Sequence, residues 1–182
     1  MSITHQDSKM TTDERRKEIK EILESELEAV SASVLAARFS VSRQVIVGDI
    51  AILRSGGLEI DATPRGYLIH RERKGIIKRI VCAHDTVEDM EEELNTIVDY
   101  GCSVVDVIVD HPLYGVLTGE LNIESRYDVG LFIESVRSGE SVPLSTLTGG
   151  IHTHTLVCDS MEGLRLAVDK LKEKGIVISD NL

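Results

Sequence analysis

The period of the apolar positions changes part-way along the chain, and the change divides it in two. From Asp13 to Val30, the residues Ile19, Ile22, Leu23, Leu27 and Val30 recur at steps of three and four, which predicts a helix with one buried stripe. Ser33 is placed to cap a short second helix carrying Val34, Leu35 and Phe39. Ser42 is placed to cap a third, from Arg43 to about Ser55, with Val45, Ile46, Ile50 and Leu53 inward. Ser40-Val41-Ser42 is the tight turn between them. Gly56-Gly57 ends the third helix; Leu58 to Ala62 and Tyr67 to His70, joined by Thr63-Pro64-Arg65-Gly66, then read as a hairpin. The pattern predicts a winged helix-turn-helix over residues 13–74, preceded by a polar tail, 1–12, expected to be disordered.

After a basic connector, Arg71 to Lys74, strand and helix signals mix. Ile76 to His84 reads as a strand and Thr86 to Tyr100 as a helix closed by Gly101. Ser103 to His111 has period two, with Val105, Val107, Val109 and His111 on one face. A strand follows from Tyr114 to Ile123, and Ser125-x-x-Asp128 resembles a capping box opening a helix to about Ser138. Beyond a loop, Gly139 to Gly150, come a strand (Ile151 to Asp159), an amphipathic helix (Met161 to Lys174) closed by Gly175, and a last strand (Ile176 to Ser179). Such an order builds a mostly antiparallel sheet with helices on one face, so residues 75–182 are expected to form an α+β sandwich, here a regulatory domain.

With 182 residues, 42% hydrophobic and 28% charged, the composition is that of a folded protein rather than a disordered one. The apolar run from Gly75 is broken by Lys78 and Arg79, far short of the roughly 20 residues of a membrane span, and the polar N-terminus lacks a secretory pattern. A cytoplasmic chain without a membrane partner is expected. Cys82, Cys102 and Cys158 are odd in number and widely spaced, without a CxxC pair, so they are expected to be buried thiols rather than a disulfide framework or a thiolate zinc site. The net charge of −11 argues against a nucleic-acid partner until its distribution is examined. Residues 1–74 hold 12 basic against 12 acidic side chains, and 29–74 hold seven against four. The acidic excess therefore lies in the second half, and the first remains compatible with DNA binding.

Candidate chemistry follows from these placements. Ser42, Arg43 and Gln44 at the start of the third helix can place a guanine-reading Arg and an adenine-reading Gln in the major groove of operator DNA, and Arg65 at the hairpin tip can reach phosphate or minor groove. His152 and His154, two apart on a strand, project from one face and can share a metal ion. His84 ends the first strand of this half, and Glu91, Glu92 and Glu93 offer a carboxylate from the next helix. Three imidazoles and one carboxylate suit one divalent transition metal per chain, zinc, nickel or iron. An open site of this kind could instead serve a metal-dependent hydrolase, but the sequence has no HExxH, nucleophile elbow or phosphate-cradling loop to supply a catalytic partner, and an enzyme is not expected. A metal-responsive repressor, with the ion as signal, is the other alternative.

Longer motifs carry a resemblance. Ala36-Ala37-Arg38-Phe39, Val41-Ser42-Arg43-Gln44-Val45 and Gly66-Tyr67 resemble the helix-turn-helix and wing of biotin-repressor-like regulators. Asp106-Val107-Ile108-Val109-Asp110-His111-Pro112-Leu113-Tyr114-Gly115 and Leu147-Thr148-Gly149-Gly150-Ile151-His152-Thr153-His154-Thr155 resemble the three-histidine domain of niacin-responsive bacterial repressors. The resemblance implies a homodimeric repressor of NAD-biosynthesis and niacin-transport genes, with nicotinic acid, or a similar pyridine carboxylate, as co-repressor. It implies a nickel or zinc site formed by His84, His152, His154 and the glutamate before Leu94, which is Glu93. The segment between His84 and Leu94 is one residue longer than the family pattern, which leaves Glu92 as a competing ligand. His111 and Tyr114 are the motif's candidates for effector contact, with a buried structural role as the alternative for His111. A homodimer would set two recognition helices one helical turn, roughly 34 Å, apart across a palindrome.

Overall fold

A computed structural model describes residues 10–70, 74–139 and 142–180. The expected tail up to residue 9 and connector residues 71–73 lie outside the described residues. Backbone contacts separate the described residues into two units, 10–60 with 66–70, and 61–65 with 74–139 and 142–180.

The first unit contains α1 (Thr12–Ser25), α2 (Ala32–Phe39) and α3 (Arg43–Ser55); β1 (Ile60–Thr63) and β2 (Gly66–Ile69) follow and pair as a hairpin, of which residues 61–65 are grouped with the second unit. Thr11 and Glu14 form a reciprocal capping box that starts α1 inside the segment expected to be tail. The helix stops at Ser25, short of the expected Val30, because Val30 instead exchanges backbone hydrogen bonds with Tyr67. Ser31 rather than Ser33 caps α2, its hydroxyl accepting from the Val34 amide. Gly66 (φ 139°) sits where a Cβ would lie 2.3 Å from the Val30 carbonyl oxygen, so only glycine allows that pairing. Ile19, Leu23, Leu35, Ile46, Ile50 and Ile60 form the core, and Val45, expected inward, is exposed. Buried Asp49 ties α3 to α1 by accepting hydrogen bonds from Arg15 at 2.7 and 3.3 Å.

The second unit is an antiparallel sheet of order β5-β4-β6-β3-β7, made of β3 (Ile76–Ala83), β4 (Cys102–His111), β5 (Gly115–Ile123), β6 (Ile151–Cys158) and β7 (Val177–Asp180). Helices α4 (Val87–Asp99), α5 (Arg126–Arg137) and α6 (Met161–Glu173) cover one face. Thr86, Ser125 and Ser160 cap them. Ile80, Val104 and Leu156 from the sheet meet Leu94, Ile97, Ile133, Leu164 and Leu171 from the helices in one core. The α+β expectation holds, element by element.

Two features depart from expectation. The register of β4 slips between Val104 and Asp106 against both neighbours, so Val104 and Val107 face the helices in place of an unbroken odd-numbered row. Cys102 and Cys158 stand directly opposite each other on β4 and β6 and form a disulfide, leaving Cys82 as the free thiol. Separated by 56 residues in sequence, the pair carries no spacing signature; strand register brings it together.

Candidate functional site

The Thr148-Gly149-Gly150 run ends a 3₁₀ turn, Leu144–Thr148, and swings the chain into β6. Gly150 (φ 88°) lies so close to the end of β3 that a Cβ there would be 2.2 Å from the His84 carbonyl oxygen. This approach brings His84 beside His152, ring centroids 4.9 Å apart, with His154 4.7 Å beyond. Period-two geometry turns His152 and His154 inward and Thr153 outward.

Two of the imidazoles are fixed by backbone carbonyls. His152 Nδ1 donates to Gly150 O at 2.8 Å, and His154 Nδ1 to Asp106 O, at the bulge of β4, at 2.6 Å. A carbonyl only accepts, so each Nδ1 carries a proton, and both Nε2 atoms turn toward Glu93. Helix α4 presents Glu93 on its inner stripe beside Leu94 and Ile97, fully buried. Its Oε2 lies 2.6 Å from His84 Nε2 and 3.3 Å from His152 Nε2; its Oε1 lies 3.7 Å from His154 Nε2.

Burial by itself would raise the Glu93 pKa. The charge of the nearby His154 imidazole, and hydrogen bonds to Oε2 from His152 and His84, outweigh it and hold the carboxyl well below its usual range. For His152, burial opposes the cation, but the bond to Glu93 and its charge prevail and raise the imidazole pKa. Glu93 Oε1 and His84 Nδ1 are nevertheless buried without a hydrogen-bond partner. Three imidazole nitrogens around a buried carboxylate with an orphaned oxygen form a donor set that fits a divalent transition-metal ion. Cys82, opposite His152 in the β3–β6 ladder, places its sulfur, a Glu93 oxygen and a His152 nitrogen within 4.8 Å of one another. Burial first, and then Glu93, push its thiol pKa up. Sequence reasoning assigned Cys82 no site role; its place two residues before His84, on the same strand face, was the available signal.

Glu93, His84, His152 and His154 form the floor of a cavity of about 180 Å³ walled by Met90, Val107, Leu121, Phe132 and Val142 to Leu144. Among the described residues no Lys or Arg lines it. The structure separates the two candidate glutamates. Glu92 faces outward in an ion pair with Lys174, and Glu93 faces the histidines. It does not bring His111 and Tyr114 to this cavity. They stack on each other at the β4–β5 turn, where His111 Nδ1 accepts from the amides of Leu113 and Tyr114 at 3.2 and 3.3 Å, and Tyr114 is exposed. Ser42 caps α3, and Arg43 and Gln44 stand exposed in its first turn. Arg65 Nε lies 2.9 Å from Oδ1 of buried Asp128. Among the described residues no helix is long and apolar enough to cross a membrane.

A helix-turn-helix unit and an antiparallel α+β unit carrying a three-histidine, one-glutamate cluster define a two-domain regulator, and comparison with known families agrees. An HTH domain matches residues 15–68 and a 3H domain residues 77–180. The probable transcription repressor NiaR of Thermotoga maritima is 42% identical over 172 residues, 94% of this chain and 98% of that protein. The transcription repressor NadR of Bacillus subtilis is 40% identical over 153 residues, 80% and 83% of the two chains. The chain belongs to this family of transcription repressors, which join an HTH domain to a 3H domain.

Proposed function

We propose that the chain is a homodimeric DNA-binding repressor of NAD-biosynthesis and niacin-transport genes, with nicotinic acid as co-repressor at a metal-containing C-terminal domain. Its role is regulatory rather than enzymatic. The observation that carries the reading is the cluster of buried Glu93 and three imidazoles at the floor of a mostly apolar cavity that, among the described residues, no Lys or Arg lines. An apolar wall suits a flat pyridine ring, and the floor is the place for its charged or coordinating end. His84, Glu93, His152 and His154 would hold nickel or zinc, which supplies a fixed positive charge toward a carboxylate or ring nitrogen. The Gly150 and Asp106 carbonyls orient His152 and His154 through their Nδ1 protons. In the first unit, Arg43 and Gln44 read bases from α3 and Ser42 fixes the helix start.

Fluorescence anisotropy of the metal-loaded protein on operator-containing DNA, at fixed salt, tests the reading. Nicotinic acid should tighten binding about tenfold or more, a coupling of roughly 1.4 kcal/mol, and nicotinamide should not. Specific binding indifferent to both compounds would overturn the co-repressor assignment.

A further inference from the structure

The outer face of α3 holds more than its first turn. Val47 stands four residues after Arg43 and three after Gln44, so it continues their face into the second turn. It is 38% exposed on a helix whose Ile46, Asp49 and Ile50 are buried. Beside it is Gly48. A Cβ built there meets nothing within 4 Å, and its backbone is not left-handed, so neither packing nor conformation within the protein asks for glycine. Glycine in an exposed helix interior is also the weakest helix former after proline. The position therefore gives up helix stability for open space on the side occupied by Gln44.

We propose that Val47 is a specificity-determining residue that packs on the C5-methyl group of a thymine in the major groove, next to the bases addressed by Arg43 and Gln44, and that Gly48 is the clearance that lets it reach there. The inference rests on α3 being the recognition helix, as in the preceding reading. Among the base edges of the major groove only thymine offers an apolar group, and an exposed valine one turn beyond the polar readers, on their face, is its complement. A side chain at 48 would stand between the helix and the groove floor and lift both Val47 and Gln44 away from the base edges.

The test begins by selecting a duplex from a random-sequence library with the full-length protein. Each thymine of the selected site is then replaced in turn by deoxyuridine, which removes only the methyl group. At one thymine per half-site the wild type should lose about fourfold in affinity, the equivalent of the roughly 0.8 kcal/mol of one buried carbon group. Val47→Ala should bind the unmodified duplex correspondingly more weakly and be indifferent to that same replacement. Gly48→Ala should raise the thermal midpoint of the protein while weakening binding to the selected duplex about tenfold. Silence at every thymine, an equal deoxyuridine effect in Val47→Ala and wild type, or undiminished binding by Gly48→Ala would each overturn the inference while leaving the DNA-binding reading in place. Failure of the wild type to enrich any duplex would remove that reading and this inference with it.

Discussion

Replacing Glu93 by Gln keeps the volume of the buried side chain and removes the one charge that three imidazoles surround, so it isolates what the carboxylate does for a metal ion. With ion present at 100 times the wild-type Kd, binding stabilises the folded protein by about 2.7 kcal/mol. Loss of partners that merely orient metal ligands weakens affinity about 10- to 100-fold, so loss of the carboxylate ligand itself is expected to reach at least the upper figure. At the same ion concentration the variant would then gain only about 0.4 kcal/mol. For a regulatory unit of this size, roughly 4 °C accompanies each kcal/mol. Zinc or nickel should therefore raise the wild-type melting midpoint by about 10 °C and that of Glu93→Gln by about 2 °C. Each protein is compared with its own chelator-treated form, so whatever the substitution does to the metal-free state cancels. Calorimetry with and without ion is the assay. An undiminished metal-induced rise in Glu93→Gln would place the ion elsewhere and refute the argument from the orphaned Glu93 oxygen.

Three further outcomes follow from the same geometry. Gly150→Ala, with φ at 88° and a Cβ 2.2 Å from the His84 carbonyl oxygen, should force His84 away from His152 and weaken metal binding at least tenfold, measured by chelator competition; unchanged affinity would show that the two strands yield without cost. The double variant Cys102→Ser, Cys158→Ser opens a loop of 56 residues, worth about 4 kcal/mol by chain entropy, and should shift urea unfolding accordingly, while wild type alkylated under denaturing, non-reducing conditions should gain one adduct, at Cys82. In chelator-treated protein the raised His152 pKa means that its pairing with Glu93 stabilises fully below about pH 6.5 and is lost as pH rises through the raised value; the lowered Glu93 pKa adds stability above about pH 4.5 that is lost as pH falls through its lowered value. The metal-free melting midpoint should therefore be highest between these limits and decline toward pH 9, and a flat calorimetric profile from pH 6 to 9 would contradict it.

Local signals carried most of the fold. The third helix is legible because Ser42, its apolar stripe and Gly56 fall at standard cap and interior positions, and the structure agrees at both ends. Helix α1 is overrun in the sequence because Leu27 and Val30 extend the helical period, whereas Val30 is claimed by a backbone pairing with Tyr67, a contact 37 positions away that no local pattern contains. The β4 bulge is hidden for a related reason: consecutive valines at 104 and 105 satisfy either phase of the alternation. At the candidate site, His152 and His154 are visible from their spacing, and His84 from its place at a strand end. The choice between Glu92 and Glu93 needs the helix phase relative to the sheet. Cys82 and the Cys102–Cys158 bond need cross-strand register, which only the assembled sheet supplies.

The bond between Cys102 and Cys158 makes a covalent ring of β4, β5, α5, the 3₁₀ turn and β6. A protease that cuts the backbone once anywhere inside that ring releases no fragment: the two pieces stay linked, and the nicked chain migrates near full length on a denaturing gel until a reductant is added. Limited proteolysis read only on non-reducing gels would therefore report an uncut protein while the strand bearing His152 and His154 had already been separated from α4 in backbone continuity.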